Sequence, residues 1–335
     1  MKNSIQEIIQ NVSQQYADER LHHFYIEIQS IQGENLSLGG RVLEQNNLDA
    51  LSEMIHEQHP GLVINFGAVE VLRKPSNPIL KVGTNITSVH TNTSFISEMS
   101  SQMLHGEAVE ILMEQGKWVY TRQMDGYLSW TYRAYLTGDA LSEPTHIIIA
   151  PTVELKLNAS AEAELITRVY SGTRVKVLST SEEWAYIRAN AEGWVPMKNL
   201  RSLGDFPQSS EARREQMIAD ARSMIGVPYL WGGASSNGID CSGFARLIHR
   251  LSGIEIPRDA DMQSAQSKPV GQPYQPGDLI FFGEGDSNRR VTHVGISMGG
   301  WKIIHSSRSR NGVYLDDIQE KESLRSIFMH AGSYL

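Results

Sequence analysis

The sequence predicts an α+β protein made of several small domains, on three observations. A chain of 335 residues exceeds one ordinary domain, so about two to four are expected. Its middle holds an internal duplication in which each copy reads as short alternating strands broken by turn residues. Its last third carries the only cysteine of the chain, at the start of a helical apolar pattern, and then two strand-like runs that each contain a histidine.

Composition narrows the function classes. Hydrophobic content of 40% and charged content of 20% fit a soluble globular protein without disorder-scale bias. A net charge of −8 argues against nucleic acid and against an anionic membrane, because both are held by the Lys and Arg clusters this chain lacks. One cysteine cannot form an internal disulfide, and no CxxC or HExxH spacing suggests zinc, so no metal or other cofactor is expected. Residues 1–10 contain no uninterrupted apolar core of a leader and no span for a bilayer. That suits a monomer that stays in the cytoplasm, although a secreted or periplasmic protein with its leader trimmed would read the same.

In chain order, residues 1–75 form a small α/β unit. Ile5, Ile8, Ile9 and Val12 recur at helical spacing; strands are expected over 23–28 and 36–43, a helix over 48–56, and strands over 62–66 and 69–72. Nothing there carries evident chemistry, and the His22-His23 pair reads as an exposed strand edge.

Residues 76–140 and 141–203 are the two copies. Gly106 and Gly172, and likewise Trp118 and Trp184, are 66 residues apart, whereas Trp130 and Trp194, and Leu136 and Leu200, are 64 apart. Two residues are therefore missing from the second copy near one turn. A repeat of this length is a whole domain copied, since solenoid periods are shorter. Both copies resemble bacterial SH3 (SH3b) domains, small β-barrels for which wall-peptide binding is the default role.

Residues 204–335 form the last domain. Ser209 or Ser210 should cap a helix running through Met217 and Ala221 to Met224. Gly232, Gly233 and Gly238 break the chain before Cys241, and Phe244, Leu247, Ile248 and Leu251 follow at helical spacing. The thiol then sits at the positive end of a helix, which favours the thiolate. Runs 291–296 and 301–306, separated by Met298-Gly299-Gly300, predict a hairpin with His293 on one strand and His305 on the other. A cysteine nucleophile needs an imidazole to carry its proton and a third group to orient that imidazole, and the two histidines can fill these roles. The three side chains could also ligate a metal, but only the nucleophile reading explains the helix start. Strand 279–282 precedes the hairpin, with a polar loop over 283–290.

Pro228-Tyr229-Leu230-Trp231-Gly232-Gly233, Asp240-Cys241-Ser242-Gly243-Phe244, Pro257-Arg258-Asp259, Pro276-Gly277-Asp278-Leu279-Ile280-Phe281-Phe282, His293-Val294-Gly295-Ile296 and His305 occur in the order and spacing of the NlpC/p60 cysteine peptidases. The last domain resembles that family throughout. The resemblance implies a papain-like core, with Cys241 as nucleophile, His293 as general base and His305 as the orienting residue. It also implies Tyr229 beside the nucleophile, and Asp240 and Ser242 lining the substrate pocket. Ala260 departs from the serine that related endopeptidases often carry, which puts one pocket hydrogen bond in doubt.

The resemblance implies cleavage of peptidoglycan stem peptides between γ-linked D-glutamate and a diamino acid, with the amide of Cys241 and Tyr229 as oxyanion donors. Relatives with tandem SH3b domains, whose first barrel walls off the cleft, point to muropeptides with a free L-alanine amino terminus and to wall recycling. Tyr127 and Glu98 of the first barrel would then contact the peptide, and Asp240 would hold its ammonium. Lys302, Arg308 and Arg310 form a basic rim beside His305. A secreted endopeptidase anchored to intact wall by its barrels, a non-catalytic wall-binding protein, and an acyltransferase on the same core are the other readings.

Overall fold

The computed structural model describes residues 1–284 and 290–335. It is a mixed α+β, strand-rich protein with few helices. Two compact units make up the chain: Met1–Leu80 with Ala108–Ala134, and Lys81–Glu107 with Tyr135–Leu335. Residues 76–140 are thus divided between them. No helix among the described residues is long and apolar enough to cross a membrane.

In the first unit, helix α1 (Lys2–Gln15) buries Ile5, Ile8, Ile9 and Val12, the stripe its spacing predicts. Strands Phe24–Gln32 and Asn35–Val42 pair antiparallel, and helix α2 (Gln45–Gln58) crosses over to strand Val63–Val71, which lies parallel to the second. Residues 63–71 were expected as two strands. They form one, because the irregularity at Gly67 is absorbed within the pairing while the Asn65 side chain accepts from the Gly67 amide. Strands Ala108–Gln115, Trp118–Gln123 and Leu128–Tyr132 form an antiparallel meander in the same unit. Leu112, Tyr120 and Leu128 of the meander share a core cluster with Leu43 and Leu72, so this unit closes around its N-terminal sheet.

The second unit contains two hairpins related by the duplication. Ile86–His90 pairs with Met99–Leu104, and Thr152–Lys156 with Leu165–Tyr170, each strand 66 residues from its counterpart. The second hairpin continues into Arg174–Ser181, Trp184–Arg188 and Glu192–Pro196 around Val153, Leu155, Val169, Val175, Ile187 and Val195. Gly106 and Gly172 have φ near +83° and +87°, so the duplication preserves a left-handed backbone position that suits glycine.

The last part of the chain packs three helices against a six-stranded sheet. Helix α3 (Ser210–Ser223) starts as expected, Ser209 accepting from the Ala212 amide at 3.2 Å. Helix α4 (Cys241–Leu251) buries Phe244, Leu247, Ile248 and Leu251 against Phe281, Val294, Ile296 and Ile304. Each such side chain contributes about 1.5–3 kcal/mol of burial. Helix α5 (Ala260–Gln266) follows, with Ala260 buried at its first position. The sheet runs Lys268–Val270, Phe328–Ser333, Leu279–Glu284, Arg290–Gly299, Lys302–Ser307, Gly312–Asp317, all antiparallel. Of the polar loop expected over 283–290, Gly283, Glu284 and Arg290 are strand, and 285–289 lie outside the described residues.

Candidate active site

Cys241 is the first residue of α4 because Asp240 caps the helix, its Oδ1 accepting from the Gly243 amide at 2.7 Å. The loop before it folds back tightly, and a Cβ at Gly243 would run into the Gly233 carbonyl. The strand carrying His305 is tied to this loop by Ser306, whose hydroxyl donates to the Ile239 carbonyl at 2.6 Å.

The helix start does not make a resting thiolate. Burial, and next the Asp240 carboxylate, push the Cys241 thiol up to about 12, although the Val294 and Ser242 amides and Arg258 favour the anion. The expectation from helix position alone is corrected here. Desolvation of a sulfur that is 8% exposed outweighs the amides that face it. Burial, and after it the neighbouring His305 ring, hold His293 down at about 3. Both shifts favour the neutral thiol and the neutral imidazole.

The hairpin brings the histidines together. Gly295 lies close to His305, a Cβ on it coming within 3.3 Å of the His305 Cβ, and Nε2 of His293 is 2.7 Å from Nδ1 of His305. His305 is 1% exposed. Its Nε2 lies 2.9 Å from Oδ2 of Asp316 on strand Gly312–Asp317. Oδ1 of Asp316 receives Arg310 at 2.9 Å and Lys321 at 2.6 Å. Burial opposes ionisation of Asp316, but hydrogen bonds from His305 and Lys321 hold its carboxyl well below the usual range. Sequence reasoning missed Asp316. Its signal was Asn311-Gly312, a turn dipeptide that returns a further strand to the His305 strand.

Tyr229 lies beside the cysteine: burial, then the charge of Cys241, push its phenol up to about 12. Asp240 and Ser242 do not line an open pocket. The Asp240 carboxylate accepts from Gly232, Gly243, Ser242 and both terminal nitrogens of Arg258, the last at 3.1 and 2.7 Å. Ser242 is taken up by Asp240 and by Arg258 at 2.9 Å. Arg258, 1% exposed, is the second residue missed, and it also donates to Ser101 at 2.7 Å. Asp240 is thus paired with a buried guanidinium as well as with the helix start.

Glu98 is exposed and accepts from Nε1 of Trp231 at 2.7 Å, ten residues before the cysteine. Next to it, the Gln102 side chain accepts from the Ala234 amide at 2.9 Å, and a Cβ at Gly232 would run into the Met99 carbonyl. Tyr127 belongs to the first unit, where it is buried at the turn into Leu128–Tyr132 and its carbonyl accepts from the Gln123 amide. Of the basic rim, Lys302 and Arg308 are exposed, while Arg310 covers the Tyr314 ring and binds Asp316. No cluster of His, Cys, Asp and Glu able to hold a metal is found among the described residues.

Comparison with known proteins agrees with this arrangement. The NlpC/P60 family profile matches residues 226–331, and the bacterial SH3 domain profile matches 152–201. A gamma-D-glutamyl-L-lysine dipeptidyl-peptidase of Bacillus cereus is 30% identical over 236 residues, 65% of this chain and 70% of that protein. The protein of the same name in Bacillus subtilis is 30% identical over 241 residues, covering 67% and 79%. The crystal structure of an NlpC/P60 family protein from Bacillus cereus shares the fold, with a TM-score of 0.67 at 24% identity over 77% of this chain and 100% of that one. With a cysteine at the helix start, two histidines on the facing hairpin and relatives that align over two thirds of its length, this chain belongs to the NlpC/P60 peptidase family, whose general type is the cysteine peptidase.

Proposed function

We propose that the protein is a cysteine peptidase that hydrolyses the bond between γ-linked D-glutamate and a diamino acid in peptidoglycan stem peptides. Its preferred substrate carries a free amino-terminal L-alanine, and it releases L-Ala-γ-D-Glu. The observation that supports this best is the line of groups His293, His305 and Asp316 beside a cysteine at a helix start. The two Bacillus relatives named for gamma-D-glutamyl-L-lysine dipeptidyl-peptidase activity support the bond cleaved.

In this reading the Cys241 proton passes to His293 as the sulfur attacks the γ-carbonyl carbon. Concerted transfer suits a neutral pair, because neither ion has to form alone in a buried site. Tyr229 and the amide of Cys241 donate to the oxyanion. The C–N bond breaks, His293 returns the proton to the leaving amine, and an acyl-enzyme remains. Water, deprotonated by His293, then attacks the acyl carbon, releasing the γ-carboxylate and restoring the thiol. Glu98 is the group proposed to meet the peptide's amino-terminal end, opposing its ammonium.

The test is mass spectrometry of L-Ala-γ-D-Glu-L-Lys and its diaminopimelate analogue, each with free and with acetylated alanine, beside a Cys241→Ala control. Release of L-Ala-γ-D-Glu from the free peptides only, lost in C241A, is the expected result. Equal cleavage of the acetylated peptides would replace it with an endopeptidase reading. No cleavage of any of them would overturn the peptidase assignment.

A further inference from the structure

We infer that Asp316 is a positioning residue that fixes the tautomers of both histidines, so that His293 presents an unprotonated Nδ1 for the Cys241 proton. The inference rests on the peptidase reading for its consequence, but its structural content stands on three hydrogen-bonding groups in series.

The argument runs inward from the carboxylate. An ionised carboxylate only accepts, so the 2.9 Å contact between Asp316 Oδ2 and His305 Nε2 requires the proton on Nε2. With that one proton on Nε2, His305 has a bare Nδ1, which can only accept. The 2.7 Å contact with His293 Nε2 therefore requires the proton of His293 on Nε2 as well. His293 is left with a lone pair on Nδ1. Neighbouring Val294 turns its amide to the Cys241 sulfur, so the His293 backbone runs beside the thiol that has to be deprotonated.

Asp316 is built for this duty. Its two oxygens are divided: Oδ1 takes Arg310 and Lys321, and Oδ2 takes His305. The two cations keep the carboxylate ionised and fix its orientation, while the Asp316 side chain is 5% exposed. Gly295, close to His305, leaves the space through which the two rings meet; a Cβ there would come within 3.3 Å of the His305 Cβ.

Replacing the carboxylate by an amide of the same shape reverses the chain. In Asp316→Asn the side-chain nitrogen can donate to His305 Nε2, the proton moves to His305 Nδ1, and His293 Nε2 must accept. His293 then carries its proton on Nδ1, the nitrogen this reading assigns to the Cys241 proton, and cannot act as base there. The expected loss in kcat is about 10²–10⁴-fold with little change in KM, by analogy with the wrong-tautomer effect in serine proteases. Asp316→Glu should recover part of it.

The deciding readout is histidine side-chain nitrogen NMR of the full chain, since a merely structural role would not move a tautomer. The wild type should show Nε2-protonated, Nδ1-bare rings at His293 and His305, and D316N should show both reversed. A wild-type His305 protonated on Nδ1 would overturn the inference whether or not D316N folds. So would a folded D316N with unchanged tautomers, or with kcat within threefold of wild type. If the wild type proves inactive on the stem peptides while its tautomers are as stated, the peptidase reading fails and the assignment to Asp316 stands.

Discussion

The hairpins 86–104 and 152–170 are two copies of one element, with equal strand lengths and equal spacing, yet they relate to Cys241 in different ways. The first meets the loop before the cysteine along its second strand: Glu98 takes Trp231, Ser101 takes Arg258, and Gln102 takes the Ala234 amide. Sixty-six residues on, the counterparts are Glu164, Thr167 and Arg168. Thr167 accepts instead from Asn85 at 2.9 Å, and Arg168 pairs with Glu154 on its own hairpin. The second hairpin reaches the cysteine's domain by its foot, where Thr152 and Ser236 share a 2.8 Å hydrogen bond. Two hairpins of equal geometry thus differ in three side chains that meet the segment around the cysteine.

The sharpest way to break this contrast is at the buried cation. Arg258→Met strands Asp240 as an uncompensated buried charge and should cost about 3–5 kcal/mol in urea unfolding. Arg168→Met removes only an exposed pair and should cost under about 1 kcal/mol. Equal costs would mean that the first hairpin's attachment carries no special weight.

Next in size is the pH dependence of Cys241 alkylation by iodoacetamide, followed by mass spectrometry. A thiol raised to about 12 stays protonated through neutrality, so the rate should climb about tenfold per pH unit above pH 7 without a neutral plateau. A plateau between pH 5 and 8 would reveal a thiolate–imidazolium pair and contradict the neutral resting state.

A smaller effect separates the equivalent glutamates. Glu98→Ala should raise KM for free-alanine peptides by about 3–10-fold while leaving kcat near wild type, the size of one hydrogen bond or exposed ion pair. Glu164→Ala should change neither. An equal response in both would remove Glu98 from substrate recognition.

A last difference is in acid. Folded His249 is held at about 4 and His293 at about 3 by burial, both below the unfolded value of 6.5. The unfolded chain therefore binds protons first, and stability should fall as pH drops from about 6.5 towards 4. Thermal melts across that window check it. A flat profile would mean that these rings are solvated when folded.

What the sequence revealed and what it hid divide along the range of the signal. The α4 stripe Phe244, Leu247, Ile248, Leu251 and the hairpin around Met298-Gly299-Gly300 are local patterns, legible because helical and strand periods differ. The duplication was legible for the same reason: Trp and Gly recur at fixed spacing. Asp316 was hidden because choosing it over Asp317 needs the register of a strand whose partner is 11 residues away. Arg258 and Ser101 lie 157 positions apart, and no periodicity connects them. Asp240 shows how a local cue leaves partners out. Its type and place suggested a substrate contact, but a carboxylate beside a helix start serves the backbone first, and here a guanidinium takes what remains.

The same guanidinium bears on evolution by domain shuffling. Arg258 gathers Ser101 from the first repeat and Asp240 with Ser242 from the cysteine's helix into one buried knot, so residues 204–335 excised alone would present half of it to water. A domain wired this way is less of a portable cassette, because a new neighbour has to meet the same buried guanidinium.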